Sequence, residues 1–247
     1  TAYDTQTAQA LEEAGIGWLL VGDSVLRTKY GLPTTQVEFI EEDGRQVPVM
    51  VIMERHTRVV KAGVKHTLVI GDMPYKSYET SEQALENAKR LIAAGAGAIK
   101  LETNIEEITE EEMRGVIRVL IENGIKVMGH LGYTPQTAGK PRTYGETKEE
   151  REKLLKYALG LKEEGAFAIV LEMVYAEVAK DVTRALENIP TIGIGAGPNT
   201  TGQVLVVDDI LDLTNWKDGK KPRFVEIFIQ AGEDPNTPET IKAVGER

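Results

Sequence analysis

Short runs of consecutive apolar residues alternate along the chain with longer segments in which apolar residues recur every three or four positions. The short runs are typical of parallel strands covered on both faces, and the longer segments are typical of helices. Seven runs stand out, at residues 18–22, 67–71, 98–101, 126–129, 167–171, 191–194 and 204–207. The residues around Ala2 and Tyr3 read as the end of an eighth strand, so we expect the chain to begin part-way through it.

Helix start and stop signals lie between these runs. Three segments each open on a threonine with Glu or Gln three positions later, which is the capping-box pattern, and each ends at a glycine. The pairs are Thr80 with Gln83, Thr109 with Glu112, and Thr147 with Glu150. Strands that alternate with helices form a parallel sheet, and eight units favour a closed (β/α)8 TIM barrel. A length of 247 residues suits one such barrel, so we expect a single domain over residues 1–247.

One segment departs from this alternation. Residues 37–49 alternate between apolar and polar around Asp43-Gly44, the pair that a tight type I′ turn prefers. The pattern predicts a β-hairpin inserted between the second and third barrel strands, near residues 37–49. Two roles are open for it, covering the active site and contacting another subunit.

Composition and charge narrow the classes of function. The formal net charge is −10, and no run of Lys and Arg offers the basic surface that nucleic-acid binding needs. The chain has no cysteine, which excludes disulfides, thiolate nucleophiles and cysteine-ligated metals. No apolar stretch approaches the length of a membrane span, and no basic N-terminal segment precedes a hydrophobic one. We therefore expect a cytoplasmic protein with neither a nucleic-acid nor a membrane partner.

Polar side chains stand at the ends of five of the predicted strands. In a (β/α)8 barrel these C-terminal ends meet at one mouth, where the catalytic groups lie. Taken singly, each side chain also has a structural explanation, as a helix cap, an ion-pair partner or a buried histidine. Taken together, so many buried acids are costly unless a cation neutralises them. The side chains are Asp23, Asp72, Lys100, Glu102, His130 and Glu172.

The donor types indicate the class of cation. Oxygen ligands with no cysteine and a single histidine favour a hard cation, and Mg²⁺ fits better than Zn²⁺. Asp23 and Asp72 are the best direct ligands because each follows a glycine that lets the backbone turn closely into the site. A metal chelated by the carboxylate and 2-oxo group of a substrate would stabilise an enolate, while a carboxylate or lysine on another strand removes the α-proton. The glycine-rich residues 193–197 have two explanations, a phosphate cradle and a tight strand-to-loop turn.

Several ordered motifs carry a resemblance to a known family. The most specific are GHLGYTPQ at residues 129–136 and IPTIGIGAG at residues 189–197. The others are TAYD at 1–4, VGDS at 21–24, GDMPY at 71–75, KLE at 100–102 and LE at 171–172. On these motifs the chain, from its first residue to about residue 214, resembles the ketopantoate hydroxymethyltransferase (3-methyl-2-oxobutanoate hydroxymethyltransferase) family. It is more distantly similar to the phosphoenolpyruvate mutase/isocitrate lyase barrel superfamily.

The resemblance implies a transferase of pantothenate biosynthesis. A hydroxymethyl group from 5,10-methylenetetrahydrofolate would be added to 3-methyl-2-oxobutanoate through a magnesium-stabilised enolate, giving ketopantoate. The resemblance also implies a homo-oligomeric ring assembly. By motif, Mg²⁺ would be held by Asp23, Asp72 and Glu102; the 2-oxo acid would be bound by Asp23, Ser24, Asp72 and Lys100; and catalysis would involve Glu172 as general base and acid, together with Lys100 and His130.

The chain departs from the family pattern near the predicted barrel mouth, where substrates are selected. Thr103-Asn104 replaces a pair of glycines, residues 137–142 lack a glycine-rich run, and Asp208-Asp209 replaces a His-Asp pair. Two alternatives therefore stay open beside the hydroxymethyltransferase. One is a magnesium-dependent enolate enzyme, such as a lyase, mutase or aldolase, that acts on another 2-oxo acid. The other is a non-catalytic homologue that binds a metabolite.

Overall fold

The computed structural model describes residues 1–214, 221 and 225–247. The chain falls into two compact units. Unit 1 comprises Thr1–Asp72, Leu91–Gly97 and Leu205–Arg247, and unit 2 comprises Met73–Arg90 and Ala98–Val204. Among the described residues, no helix combines the length and the apolarity that a membrane span requires. The single barrel domain stays a prediction.

Strands and helices alternate along both units. In chain order the elements are α1 Thr5–Glu13, β1 Trp18–Val21, α2 Val25–Thr28, β2 Phe39–Glu42, β3 Arg45–Pro48, α3 Val49–Gly63, β4 Leu68–Asp72, α4 Ser81–Ala93, β5 Ala98–Glu102, α5 Glu110–Glu122, β6 Val127–Gly132, α6 Lys148–Glu163, β7 Ala168–Glu172, α7 Ala176–Leu186, β8 Thr191–Ile194, β9 Gly202–Gln203, α8 Val207–Ile210 and α9 Pro238–Glu246. In unit 1, β1 pairs in parallel with β4. In unit 2, β5 to β9 pair in parallel in the order of the chain.

Helix α1 shows how local sequence determines an element of unit 1. Asp4 stands before the helix in an extended conformation, and its Oδ1 accepts the N–H of Thr7 at 2.8 Å, which caps the N-terminus. Ala8 and Leu11, three positions apart, are buried, whereas Glu13 is exposed. The helix therefore presents one apolar stripe, and it packs against α3 and α9.

Near the end of α1, the carboxylate of Glu12 binds the turn that leads into β4. It accepts the backbone N–H groups of Thr67 and His66 at 2.8 Å and that of Lys65 at 3.0 Å. Hydrogen bonds from Thr67, Lys65 and His66 favour the charged carboxylate, so they lower the pKa of Glu12 from 4.5 to about 2. The ionised carboxylate thus joins two segments of unit 1 that are distant in sequence.

We expect Glu12→Gln to destabilise the protein in a pH-dependent way. Because the pKa is depressed in the folded state, the contribution of Glu12 is complete above about pH 4.5 and is lost as the pH falls towards 2. The gap in melting temperature between wild type and variant should therefore be widest at neutral pH and should close below pH 4.5. The control is Glu13→Gln, at the neighbouring exposed position. A gap that stays constant with pH would contradict the role of the charge.

The hairpin predicted near residues 37–49 is present in unit 1. Strands β2 and β3 pair antiparallel, with Glu42 opposite Arg45. Asp43 and Gly44 form the turn with φ angles of 51° and 73°, and a type I′ turn requires positive φ at both positions. That the hairpin is inserted between the second and third strands of a barrel stays a prediction.

The predicted helix starts of unit 2 are in place. Thr109 and Glu112 form a complete capping box at α5. At α6 the hydroxyl of Thr147 accepts the N–H of Glu150, but the Glu150 carboxylate turns to the N–H groups of Gly145 and Glu146. These caps begin helices that each return the chain to the next parallel strand.

Two of the eight predicted strands are wrong in detail. The segment 204–207 was expected to be a strand, but the strand is β9 at Gly202–Gln203 and the chain turns helical from Val207. The acidic residues Asp208 and Asp209 stand in the first turn of α8, where they complement the partial positive charge of the helix N-terminus. The segment at Ala2 is also not a strand, although its N–H donates to the Leu20 carbonyl at 3.1 Å. The other six predicted strands are present, with ends shifted by up to three residues.

Candidate active site

Asp23 and Asp72 come together at one end of the ladder in unit 1. Asp23 follows Gly22 after β1, and Asp72 is the last residue of β4. The parallel register aligns Val21 with Gly71, so Gly22 comes beside Asp72 and Asp23 follows one position later. The Asp23 N–H donates to Oδ2 of Asp72 at 3.2 Å, and the two residues are only 7% and 1% exposed. Unit 1 thus holds two buried acids next to each other, as the strand-end pattern predicts.

Ser24, the next residue, is bonded to Tyr3. Its hydroxyl makes no helix-capping bond and lies 2.7 Å from the Tyr3 hydroxyl. Burial raises the pKa of the Tyr3 phenol, so the phenol stays neutral. Nδ1 of His56 lies 2.7 Å from the Tyr3 carbonyl oxygen, and because that oxygen only accepts, Nδ1 carries a proton. No pattern in the sequence predicts roles for Tyr3 and His56, since both act through hydrogen bonds to distant residues.

In unit 2, His130 lies between two carboxylates. The registers of β5, β6 and β7 place Glu102 opposite His130 and Gly132 opposite Glu172. Nδ1 of His130 is 3.7 Å from Oε1 of Glu102, and Nε2 is 3.3 Å from Oε2 of Glu172. The His130 side chain is 2% exposed and the Glu172 side chain is 16% exposed, so Glu172 is more accessible than His130. Such an arrangement suits a group that accepts and returns a proton.

Lys100 is a buried cation on the same strand as Glu102. The residue is 4% exposed, and the Met73 N–H donates to its carbonyl oxygen at 2.8 Å. Residues two apart on a strand point to the same face, so Lys100 and Glu102 share one face of β5. A buried ammonium is stable only near acidic or other polar groups, and unit 2 supplies them on that face.

Gln136 is a site residue for which the sequence predicted no role, although it ends the GHLGYTPQ motif. It is 1% exposed, and its backbone N–H donates to Oε2 of Glu102 at 3.0 Å. Its side-chain amide donates to the Met73 carbonyl at 2.9 Å and accepts from the Tyr78 hydroxyl at 2.7 Å. A buried amide at the end of a specific motif was the available clue, but its partners are not readable from sequence.

A cavity of about 380 Å³ opens next to these residues in unit 2. Its volume lies in the range of small-molecule sites. Glu102 and Gln136 connect it to the residues described above, and its wall is both aromatic and aliphatic. Wall residues include Tyr75, Tyr78, Ile108 and Val116.

The glycines at 193–197 have a packing explanation. A Cβ at Gly197 would lie 2.6 Å from the Cβ of Ala176, and one at Gly193 would lie 2.6 Å from Oγ1 of Thr200. Gly197 also has a φ of 77°, which other residues rarely adopt. The tight-turn explanation therefore accounts for these two glycines without a phosphate.

The altered loop at residues 137–142 is anchored by Arg142. Its guanidinium lies 3.8 Å from the centre of the Tyr144 ring and contacts Glu106 at 2.7 Å and Glu150 at 2.8 Å. Arg142 thereby ties this loop to the loop that follows β5 and to α6. The loop is therefore held in place by two ion pairs and a cation–π contact.

The acidic residues fit a magnesium ion by donor type. Within residues 1–214, 221 and 225–247, no group of three or more His, Asp or Glu side chains is arranged to hold a metal ion. Mg²⁺, however, keeps several waters and commonly takes only one or two carboxylates from the protein. The adjacent Asp23 and Asp72 of unit 1 are such a donor pair. The three-residue ligand set stays a prediction.

Solved structures with the same fold include enzymes that act on small acids. One is phosphonopyruvate hydrolase in complex with oxalate and Mg²⁺, with a TM-score of 0.58 and 16% identity over 78% of this chain and 65% of that chain. Another is 2,3-dimethylmalate lyase, a PEP mutase/isocitrate lyase superfamily member, with a TM-score of 0.56 and 17% identity over 82% of this chain and 72% of that chain. At this identity the likeness shows the fold alone, and it confirms the predicted α/β-barrel class.

Comparison of sequences identifies the family of this chain. The family model described as ketopantoate hydroxymethyltransferase matches residues 1–242. The 3-methyl-2-oxobutanoate hydroxymethyltransferase of Pyrobaculum islandicum is 43% identical over 92% of this chain and 82% of its own length. The enzyme of the same name from Thermus thermophilus is 42% identical over 94% of this chain and 83% of its own length. The chain therefore belongs to the ketopantoate hydroxymethyltransferase family of enzymes.

Proposed function

We propose that the protein transfers the one-carbon unit of 5,10-methylenetetrahydrofolate, with water, to 3-methyl-2-oxobutanoate as a hydroxymethyl group, which gives ketopantoate and tetrahydrofolate. The names of the relatives support the group transferred and the acceptor. The observation that carries the chemistry is the position of His130 between Glu102 and Glu172. The folate donor rests on the family resemblance.

Glu172 is the proposed general base. It has to remove the proton from carbon 3 of the oxo acid and return a proton to the product. Its side chain is 16% exposed, which leaves it accessible to a substrate, and its Oε2 is 3.3 Å from Nε2 of His130. The imidazole therefore lies next to the Glu172 carboxylate, and it is in turn near Oε1 of Glu102.

Asp23, Asp72 and Glu102 are the proposed ligands of Mg²⁺, with water completing the coordination. The ion would polarise the 2-oxo carbonyl and so increase the acidity of the neighbouring C–H. The backbone N–H of Asp23 fixes one oxygen of Asp72 and so orients that carboxylate.

Lys100 and Ser24 are the proposed substrate-binding residues. The Lys100 ammonium, on a strand buried along its whole length, would offset the charge of the substrate carboxylate. The Ser24 hydroxyl, held by Tyr3, would donate to a substrate oxygen. Asp23 and Asp72 would contribute to binding through the metal. A cytoplasmic location and a homo-oligomeric ring are proposed with the function, on the same resemblance.

The decisive experiment is an assay with Mg²⁺, 5,10-methylenetetrahydrofolate and 3-methyl-2-oxobutanoate. We expect ketopantoate as the product, and we expect exchange of the carbon 3 proton into deuterated water when the folate is left out. Exchange of the carbon 3 proton without formation of ketopantoate would indicate an enolate enzyme in which the oxo acid reacts with another partner. Absence of both would favour a non-catalytic homologue that binds a metabolite.

A further inference from the structure

We propose that Gln136 and Tyr78 are positioning residues, which hold the Glu102 carboxylate in the orientation that the reaction requires. This inference rests on the proposed function, because it assigns Glu102 to the metal and His130 to the proton-transfer group. It adds two residues, neither of which has to touch substrate. The Tyr78 hydroxyl bonds the Gln136 side chain, and the Gln136 backbone N–H bonds Glu102.

One oxygen of the Glu102 carboxylate is held by a hydrogen bond, and the other lies near His130. Oε2 accepts the backbone N–H of Gln136 at 3.0 Å, and Oε1 faces Nδ1 of His130 at 3.7 Å. Glu102 is the last residue of β5, so its backbone is fixed by the ladder with β6. Rotation of the carboxylate about its last bond would break the contact with Gln136. The position of that backbone N–H therefore determines the plane in which the carboxylate lies next to His130.

The backbone of Gln136 is in turn held through its own side chain. Nε2 donates to the Met73 carbonyl at 2.9 Å, and Oε1 accepts from the Tyr78 hydroxyl at 2.7 Å. One bond requires a donor and the other an acceptor, so only an amide in a single orientation satisfies both. These bonds tie the loop after β6 to the segment after β4. Because Gln136 is 1% exposed, water does not replace them readily.

Residues that hydrogen-bond to a metal ligand orient that ligand, and their loss typically lowers metal affinity or activity by about 10–100-fold. Gln136→Leu removes both side-chain bonds and should reach this range. Tyr78→Phe removes only one of the two side-chain bonds of Gln136, so it should lower kcat less, by about fivefold. In both variants kcat should fall more than the KM for the oxo acid rises.

The experiment measures kcat and KM, Mn²⁺ affinity by electron paramagnetic resonance, and melting temperature for wild type, Tyr78→Phe and Gln136→Leu. The matched control is Tyr157→Phe, because Tyr157 is a buried tyrosine of unit 2 whose hydroxyl donates to the Ile108 carbonyl at 2.6 Å. This control should lower the melting temperature and leave kcat and Mn²⁺ affinity unchanged. Tyr78→Phe should lower kcat and Mn²⁺ affinity and leave the melting temperature unchanged.

Two results would overturn the proposal. One is wild-type kcat and Mn²⁺ affinity in Tyr78→Phe and Gln136→Leu. The other is a loss of activity in these two variants that only parallels a loss of folded protein, with kcat and Mn²⁺ affinity of the folded fraction equal to wild type, as expected for Tyr157→Phe. Failure of the proposed function can be told apart from failure of this inference. A wild-type protein that forms no ketopantoate would refute the proposed function. Weaker Mn²⁺ binding in the two variants would still support the positioning of Glu102.

Discussion

Glu172→Gln is expected to lower kcat by about 10²–10⁴-fold, which is the usual contribution of a general base, and to leave Mn²⁺ affinity within about twofold of wild type. The amide has the same shape as the carboxylate but is too weak a base to take the proton from carbon 3. Glu172 ends β7 in register with Gly132 and Ile194, so the strand should be undisturbed. Exchange of the carbon 3 proton should fall together with product formation.

The control for this variant is Glu177→Gln. Glu177 lies in the first turn of α7, a few residues further along the chain, and its side chain is 76% exposed. Its single ion pair with Lys180 at 3.4 Å is a surface contact of small energetic weight. The same chemical change should therefore leave kcat unaffected there. Retention of more than about a tenth of the wild-type kcat in Glu172→Gln would assign the base to another residue, since general bases contribute far more than that.

The strand-end acids were predictable from sequence because two local rules determine them. A buried parallel strand shows as a continuous apolar run, and the first polar residue after it lies at the carboxyl end. Asp23, Asp72 and Glu172 obey this rule, each at or directly after the end of a strand. The hairpin turn was predictable for a similar reason, since Asp43 and Gly44 both tolerate positive φ.

The residues that support these acids were not predictable, because their partners are distant in the chain. Gln136 bonds Glu102 across 34 positions, Tyr78 across 58 and Met73 across 63. Ser24 is bonded to Tyr3 across 21 positions. No periodicity or spacing encodes which donor meets which acceptor, since that depends on how strands and loops are placed by the fold. The motif around Gln136 therefore marked a site without revealing its role.

The strand predicted at residues 204–207 is wrong for a different reason. The apolar residues at 204–207 satisfy the pattern of a strand, and Val204 does donate to the Gly193 carbonyl at 3.0 Å. Beyond that bond the ladder stops, and the backbone enters α8 at Val207. Apolar composition alone does not distinguish a short buried strand from the approach to a buried helical turn. Asp208, buried in that turn, is paired with Lys29 at 2.8 Å instead of continuing a strand.

Gly132→Ala is expected to destabilise the protein by about 2–5 kcal/mol, the sum of a backbone cost of about 1–2 kcal/mol for left-handed geometry and about 1–3 kcal/mol for overpacking. Gly132 ends β6 with a φ of 96°. A Cβ there would lie 2.2 Å from the Glu172 carbonyl oxygen and 2.7 Å from Cγ2 of Val174. The same carbonyl accepts the Tyr133 N–H at 2.8 Å, so the clash can be relieved only by moving the backbone of the proposed base.

Gly124→Ala separates the two contributions. Gly124 follows α5 with a φ of 75°, and a Cβ at this position would meet no atom within 4 Å. It should therefore cost only the backbone term of about 1–2 kcal/mol and leave kcat unchanged. Urea unfolding of the two variants gives the difference directly, and kcat measured on the folded fraction shows whether Glu172 has moved. Equal free energies of unfolding for the two variants would mean that β6 and β7 shift apart without strain. In that case the end of β6 would not fix the position of Glu172, and the proposed base would have to be held by His130 instead.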